Sequence, residues 1–239
     1  MATRKRSRGK GRLFAIGDIH GCADELGTMI KAIAPRQDDI VVFVGDYIDR
    51  GPSAHDVIDQ LIELGHGEAE TVFLKGNHED MMLAYLGLPG HYAESFLFNG
   101  GAQTLESYGV TETALDRTAD HIPHRHLEFL KALATSYLHP PYLFVHAGIL
   151  PTRQLEEQSV EDMLWIRQEF IFHPHLVDAT VIFGHTPMRT VMVDMPFKLG
   201  IDTGLVYGGK LSCVEFNEGV LYQVARGSHQ VKSQPLDLD

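Results

Sequence analysis

Five short blocks, each directly after a strand-like apolar run, constrain this chain more than any other feature. They read Gly17-Asp18-Ile19-His20-Gly21, Gly45-Asp46-Tyr47-Ile48-Asp49-Arg50-Gly51, Gly76-Asn77-His78-Glu79, Val145-His146-Ala147-Gly148 and Gly184-His185-Thr186. The runs that lead into them, such as Leu13 to Ile16, Ile40 to Val44 and Tyr142 to Val145, are short and apolar, as buried strands are. Helical faces fall between them. Leu26, Met29, Ile30 and Ile33 recur at i, i+3, i+4 and i+7. Val57, Ile58, Leu61, Ile62 and Leu64 form a second face, with Pro52 and Ser53 at its start and Gly65 as a left-handed stop. The alternation predicts an α/β fold. Open α/β sheets collect ligands just beyond the C-terminal ends of their strands, which is where these blocks fall.

The blocks supply Asp18, His20, Asp46, Asn77, His146 and His185, a mixture of oxygen and imidazole nitrogen. That set suits a pair of Mn, Fe or Zn ions better than Ca or Mg. Asp18 and His20 are two residues apart at a strand end, so both point to one side. Ligand reach gives an allocation: Asp18 and His20 to one ion, Asn77, His146 and His185 to the other, and Asp46 bridging both through its two oxygens. Such a pair activates water and clamps phosphoryl oxygens. His78 directly follows Asn77 and is placed as a general acid for the leaving oxygen, with Asp49 orienting its imidazole and favouring the protonated form. Arg50 offers a planar fork for phosphate oxygens, and Arg167 a second clamp; Asn77 and Tyr207 complete the expected substrate contacts.

The order GDIHG, GDYIDRG, GNHE, HAG and GHTP resembles the phosphoprotein phosphatase family of calcineurin-like metallophosphoesterases, and most closely the bacterial and phage serine/threonine protein phosphatases. The likeness runs from about Leu13 to Lys210, apart from most of a helical stretch. It implies a sandwich of two mixed β-sheets flanked by helices, with a dinuclear centre of Mn²⁺, or of Fe with Mn or Zn, between loops at one sheet edge. By the same resemblance the metal ligands fall on Asp18, His20, Asp46, Asn77, His146 and His185. The acid pair falls on His78 and Asp49, and the phosphate arginines on Arg50 and Arg167.

Three segments frame that domain. Residues 1–12 form a basic tail expected to be disordered, residues 13–226 a single domain, and residues 227–239 a polar, flexible tail. Within the domain, about 79–139 reads as a mainly helical insertion with no convincing strand, and Leu199 to Val224 as β-meander around an Asn217-Glu218-Gly219 turn. The basic tail holds six of the 20 Lys and Arg and no acidic residue, so the body is more acidic than the net charge of −12. A body of that sign repels polyanions, which argues against a nucleic-acid duplex as partner. No apolar run approaches bilayer-spanning length and no signal segment follows the basic start. With two cysteines far apart, Cys22 and Cys213, the expectation is a cytoplasmic protein with no membrane partner.

Two further patterns are set aside. His121, His124 and His126 read as solvent-exposed loop histidines, since no carboxylate or cysteine sits at ligand spacing. Gly204 to Lys210 imitates a phosphate loop, but Leu211 stands where Ser or Thr is required. The leading functional expectation is hydrolysis of phosphoserine and phosphothreonine in phosphoproteins or phosphopeptides. A symmetrical diadenosine tetraphosphate hydrolase is the runner-up, with dinucleoside polyphosphates as partners. Those hydrolases usually lack the carboxylate at Asp49 and carry Asp in place of Glu79. A non-catalytic phosphate-binding scaffold is the alternative from another class.

Overall fold

A computed structural model of the chain describes residues 11–110 and 122–238. Most of the basic tail, His121 and the final Asp239 lie outside the described residues. Strand β1 (Leu13–Ile16) leads through helix α1 (Ala23–Ile33) to β2 (Ile40–Phe43), then through α2 (Ala54–Gly65) to β3 (Glu70–Phe73). Helices α3 (Asn77–Tyr85), α4 (Gly101–Ser107) and α5 (His124–Lys131) precede β4 (Ser136–His139) and β5 (Tyr142–Val145). Then come α6 (Val160–Trp165), α7 (Gln168–Ile171), β6 (Thr180–Phe183), β7 (Met192–Asp194) and β8 (Lys198–Gly200). Strands β9 (Lys210–Glu215), β10 (Val220–Ala225) and β11 (Val231–Pro235) complete the order.

Among the described residues the strands form two mixed sheets, one ordered β11-β10-β9-β1-β2-β3 and the other β4-β5-β6-β8-β7. Strands β1, β2 and β3 run parallel, and so do β5, β6 and β8, with antiparallel neighbours outside them. The inner strands β1, β2, β5 and β6 are almost wholly apolar because both of their faces are covered. Phe14, Ile16, Val41 and Phe43 pack with Leu26, Met29 and Ile33 of α1 and Val57, Ile58 and Leu61 of α2. The alternate residues Leu13, Ala15, Val42 and Val44 pack with Phe144, Ile182 and Leu199 of the other sheet. Leu143, Val145, Val181 and Phe183 turn away from that interior toward Met163 and Phe170. This is the expected sandwich flanked by helices. It brings the ends of β1, β2, β3, β5 and β6 to one rim.

Several local expectations are corrected. Gly65 lies inside α2, and the helix ends at His66 with φ −92°. A Cβ there would make only ordinary contact with the Phe73 ring, at 3.4 Å, so packing does not demand the glycine. The insertion ends in a strand, β4, paired antiparallel with β5. Its half-exposed SYLH sequence shows no apolar run because it lies at a sheet edge. The stretch after Gly227 is not simply a tail. β11 pairs with β10 from Val220↔Pro235 to Val224↔Val231, held by its backbone ladder while its side chains stay mostly exposed. The supposed meander divides: β8 joins the second sheet and β9 and β10 the first. Arg12, assigned to the basic tail, is fixed by Asp39, with Nη2 to Oδ2 at 2.6 Å. His126 is fully buried in α5 and has a carboxylate partner, Asp59, whereas His124 is exposed as expected.

Candidate active site

The rim loops hold their side chains through unusual backbone conformations. His20, Asp46, Asp49, Arg50 and His185 have φ of 47°, 54°, 69°, 66° and 64°. Non-glycine residues in the left-handed region cost roughly 1–3 kcal/mol each and persist where their surroundings over-determine them. Here Ile19 N and His20 N both donate to Asp46 O, at 3.0 and 2.9 Å, which locks the first loop to the second. Close approach explains two of the glycines. A Cβ on Gly76 would lie 2.1 Å from Asp46 Oδ1, and one on Gly184 would lie 2.0 Å from Asp18 Oδ1.

Glu79 is the tie between the second and third loops, a role the sequence alone does not reveal. Fully buried, its Oε2 accepts from Gly76 N (2.8 Å) and Asp46 N (3.0 Å), and its Oε1 from Tyr47 N (2.7 Å) and Ile48 N (3.3 Å). Burial and the Asp46 charge push this carboxyl up to about 7, while the N–H groups oppose the rise. Glu79→Gln keeps one accepting oxygen and turns an NH2 toward the other two donors. Each buried donor left unsatisfied costs about 1–3 kcal/mol. The variant is expected to lose about 2–5 kcal/mol, a melting temperature roughly 5–15 °C lower. Thermal unfolding within a degree of the wild type would refute the tie.

All six expected ligands come together. His20 Nδ1 donates to Ile48 O and His146 Nδ1 to Val44 O, both at 2.8 Å. A carbonyl can only accept, so when neutral each ring carries its lone pair on Nε2, turned into the cluster. Asp46 divides its oxygens between two groups: Oδ2 lies 3.5 Å from His20 Nε2, and Oδ1 lies 3.3 Å from His146 Nε2. Asn77 Oδ1 is 3.1 Å from His146 Nε2 and 2.9 Å from His185 Nδ1. Asp18 Oδ2 accepts from His185 N at 2.9 Å. Asp18 Oδ1 and His185 Nε2 are buried with no hydrogen-bond partner.

Lone pairs converging in a buried space are repulsive unless cations lie among them. The electrostatics show that stress. Burial, followed by Asp202 and Asp46, drives the Asp18 carboxyl well above its ordinary value. Burial opposes ionisation of Asp46, yet His146, His78 and His20 hold it well below the usual range. Burial pushes His20 down to about 3, so its ring is neutral and ligand-competent. The orphaned Asp18 Oδ1 and His185 Nε2, with Asp46 facing both groups, fit two divalent cations.

The remaining expected residues gather beside the cluster. His78 Nδ1 and Asp49 Oδ2 are 2.6 Å apart, and both residues are buried. Burial drives the His78 ring down to about 4 and raises the Asp49 carboxyl, so the two groups favour sharing one proton. Burial thus opposes the protonated form that Asp49 is expected to favour. Arg50 Nη1 lies 2.6 Å from His20 Nε2, and its guanidinium sits over the Tyr207 ring, 5.5 Å from the centroid. Tyr207 is 62% exposed, so it stands at the mouth of the site. Arg167, at the start of α7, donates through Nη1 to His185 O at 3.0 Å, and so reaches the rim.

Two more residues belong to this constellation. Thr104 of α4 donates from Oγ1 to Asp49 Oδ1 (2.6 Å) and accepts from Asp49 N (2.8 Å). The insertion thereby braces the acid pair. Asp202 is buried just past β8, and burial with Asp46 nearby raises its carboxyl to about 6. Its Asp-Thr-Gly run after a strand repeats the signature of the other blocks, which would have revealed it.

Comparison with known proteins agrees with this geometry. The family model for calcineurin-like phosphoesterases matches residues 11–222. An asymmetrical bis(5'-nucleosyl)-tetraphosphatase PrpE from Oceanobacillus iheyensis is 26% identical over 248 residues, covering 90% of this chain and 92% of that protein. Serine/threonine-protein phosphatase 1 of Salmonella typhimurium is 28% identical over 211 residues, covering 84% and 89%. The crystal structure of a provisionally named diadenosine tetraphosphatase superposes with a TM-score of 0.69 at 25% identity, covering 92% and 96%. The chain belongs to the calcineurin-like phosphoesterase family.

Proposed function

We propose that the protein is a metal-dependent phosphomonoesterase acting on phosphoserine and phosphothreonine in proteins or peptides. The observation that carries the reading is the buried His78–Asp49 pair at 2.6 Å, braced by Thr104. A seryl or threonyl alkoxide is a strongly basic leaving group and gains most from a positioned acid. The leaving phosphate of a dinucleoside polyphosphate needs that proton far less. When bound, two Mn²⁺ ions, or Fe paired with Mn or Zn, supply charge neutralisation and acidify a water. Asp18, His20, Asp46, Asn77, His146 and His185 would hold them.

The chain's own groups do the rest. Arg50 and Arg167 bind and orient phosphate oxygens with their guanidinium forks, helped by Asn77, while Tyr207 steadies Arg50 through its ring face. The anionic substrate favours the imidazolium of His78, which opposes the effect of burial. His78 then delivers the proton from Nε2, and Asp49 retains Nδ1–H.

A second reading, hydrolysis of dinucleoside tetraphosphates, draws support from the names of the relatives. Turnover of a phosphoserine peptide and of diadenosine tetraphosphate by one Mn²⁺-loaded preparation separates the two. The proposal expects kcat/KM for the peptide to be at least about tenfold the higher, roughly 1.4 kcal/mol in transition-state stabilisation. A ratio inverted by that factor would establish the second reading, and no turnover of either would leave a phosphate-binding scaffold.

A further inference from the structure

Away from this cluster, a second group of metal-ligating side chains lies where α2, α4 and α5 meet. His55 and Asp59 sit one turn apart on α2, and His126 comes from α5. Their ligand atoms lie within 4.8 Å of one another. Asp59 Oδ1 is 2.6 Å from His126 Nε2, and Asp59 Oδ2 is 3.7 Å from His55 Nδ1. The other nitrogen of His126 lies 2.9 Å from the Tyr108 hydroxyl. The rings of His55 and His126 are 4.9 Å apart between centroids.

We infer that His55, Asp59 and His126 form a third metal site, of the Zn²⁺ class, which shares no residue with the dinuclear cluster and fastens α2 to α5. Two imidazoles and one carboxylate are a donor set that Zn²⁺ takes with a fourth position left to solvent. Three features favour that use over a simple hydrogen bond. The i, i+4 pair on α2 presents two donors from one rigid face. Tyr108 gives His126 the outer partner that fixes the ring of a metal-bound histidine. His126 is fully buried while the side chains of His55 and Asp59 are 32% and 27% exposed, so the group is anchored on one side and open on the other.

The competitors for Asp59 are identifiable. Arg125 Nη2 lies 2.5 Å from Asp59 Oδ1, but its side chain is 60% exposed and free to swing into solvent. Metal entry would release the proton between Asp59 Oδ1 and His126 Nε2 to solvent, with a turn of the part-exposed carboxylate making the room.

Elemental analysis after equilibration with Zn²⁺ tests the site. Wild-type protein is expected to hold one equivalent more than His55→Ala, and to show a Zn²⁺-dependent rise in melting temperature beyond that variant's. Mn²⁺-supported turnover should be the same in both, because His55 lies outside the catalytic cluster. Asp59→Asn should lose the same equivalent. Should it unfold by freeing His126, His55→Ala still reports, since it removes a half-exposed ring. Asp46→Asn, with its dinuclear centre weakened, is expected to retain this equivalent and to give a tetrahedral visible band with Co²⁺. Equal Zn²⁺ content in wild type and His55→Ala, or no such band in Asp46→Asn, would overturn the inference.

Discussion

His78→Asn is expected to lose roughly 10²–10⁴-fold in kcat on an alkyl phosphomonoester while keeping its fold and both metals, the range a positioned general acid contributes. Metal retention follows because the contact between His78 and Asp46 Oδ1 is made by the backbone N–H, at 3.2 Å, and survives the substitution. The lost group is the imidazole Nε2. On p-nitrophenyl phosphate the loss should be much smaller, because p-nitrophenolate departs without a proton. KM should change little on either substrate, since an interaction made only in the transition state appears in kcat. Measuring kcat on a phosphoserine peptide and on p-nitrophenyl phosphate with metal-quantified enzyme decides the matter. Equal losses on both substrates would contradict the proton-donor role and leave His78 as a positioning residue.

The contrast between what the sequence displays and what it hides has a physical basis. Asp18, His20, Asp46, Asn77, His146 and His185 are legible because each follows an apolar strand within a block whose glycines permit close approach. Their meeting at one rim then follows from parallel strands that all end there. The direction of proton sharing between His78 and Asp49 is not legible, because it depends on how deeply the pair is buried. Thr104 is silent for another reason: nothing local marks a threonine in a helical insertion as the brace of a carboxylate 55 residues earlier in the chain. Glu79 is visible as part of a block, yet its task of holding four loop N–H groups appears only when two loops are seen packed together. Strands β4 and β11 escape notice because edge strands are held by backbone pairing and need no apolar run. His126 looks like a loop histidine because its partner Asp59 lies 67 residues away in sequence.

Asp46→Asn is expected to strip the centre where His78→Asn leaves it intact. Each Asp46 oxygen faces a different histidine, Oδ2 toward His20 and Oδ1 toward His146. A carboxamide keeps one accepting oxygen, loses the charge and turns N–H bonds toward one of those ring lone pairs. Both cations should therefore weaken together. The activity that depends on them should fall by roughly 10³-fold or more, corresponding to several kcal/mol of lost charge stabilisation. Stability should diverge in the same experiment. Mn²⁺ bound to the folded state raises the wild-type melting temperature through mass action, and the variant should respond far less. Without added metal the variant should be less stable than the wild type at neutral pH, because His146, His78 and His20 favour the ionised Asp46 carboxylate in the fold and a carboxamide cannot supply that charge. Two full Mn²⁺ equivalents in Asp46→Asn, with a melting temperature that rises as the wild type's does, would refute the bridging position of Asp46.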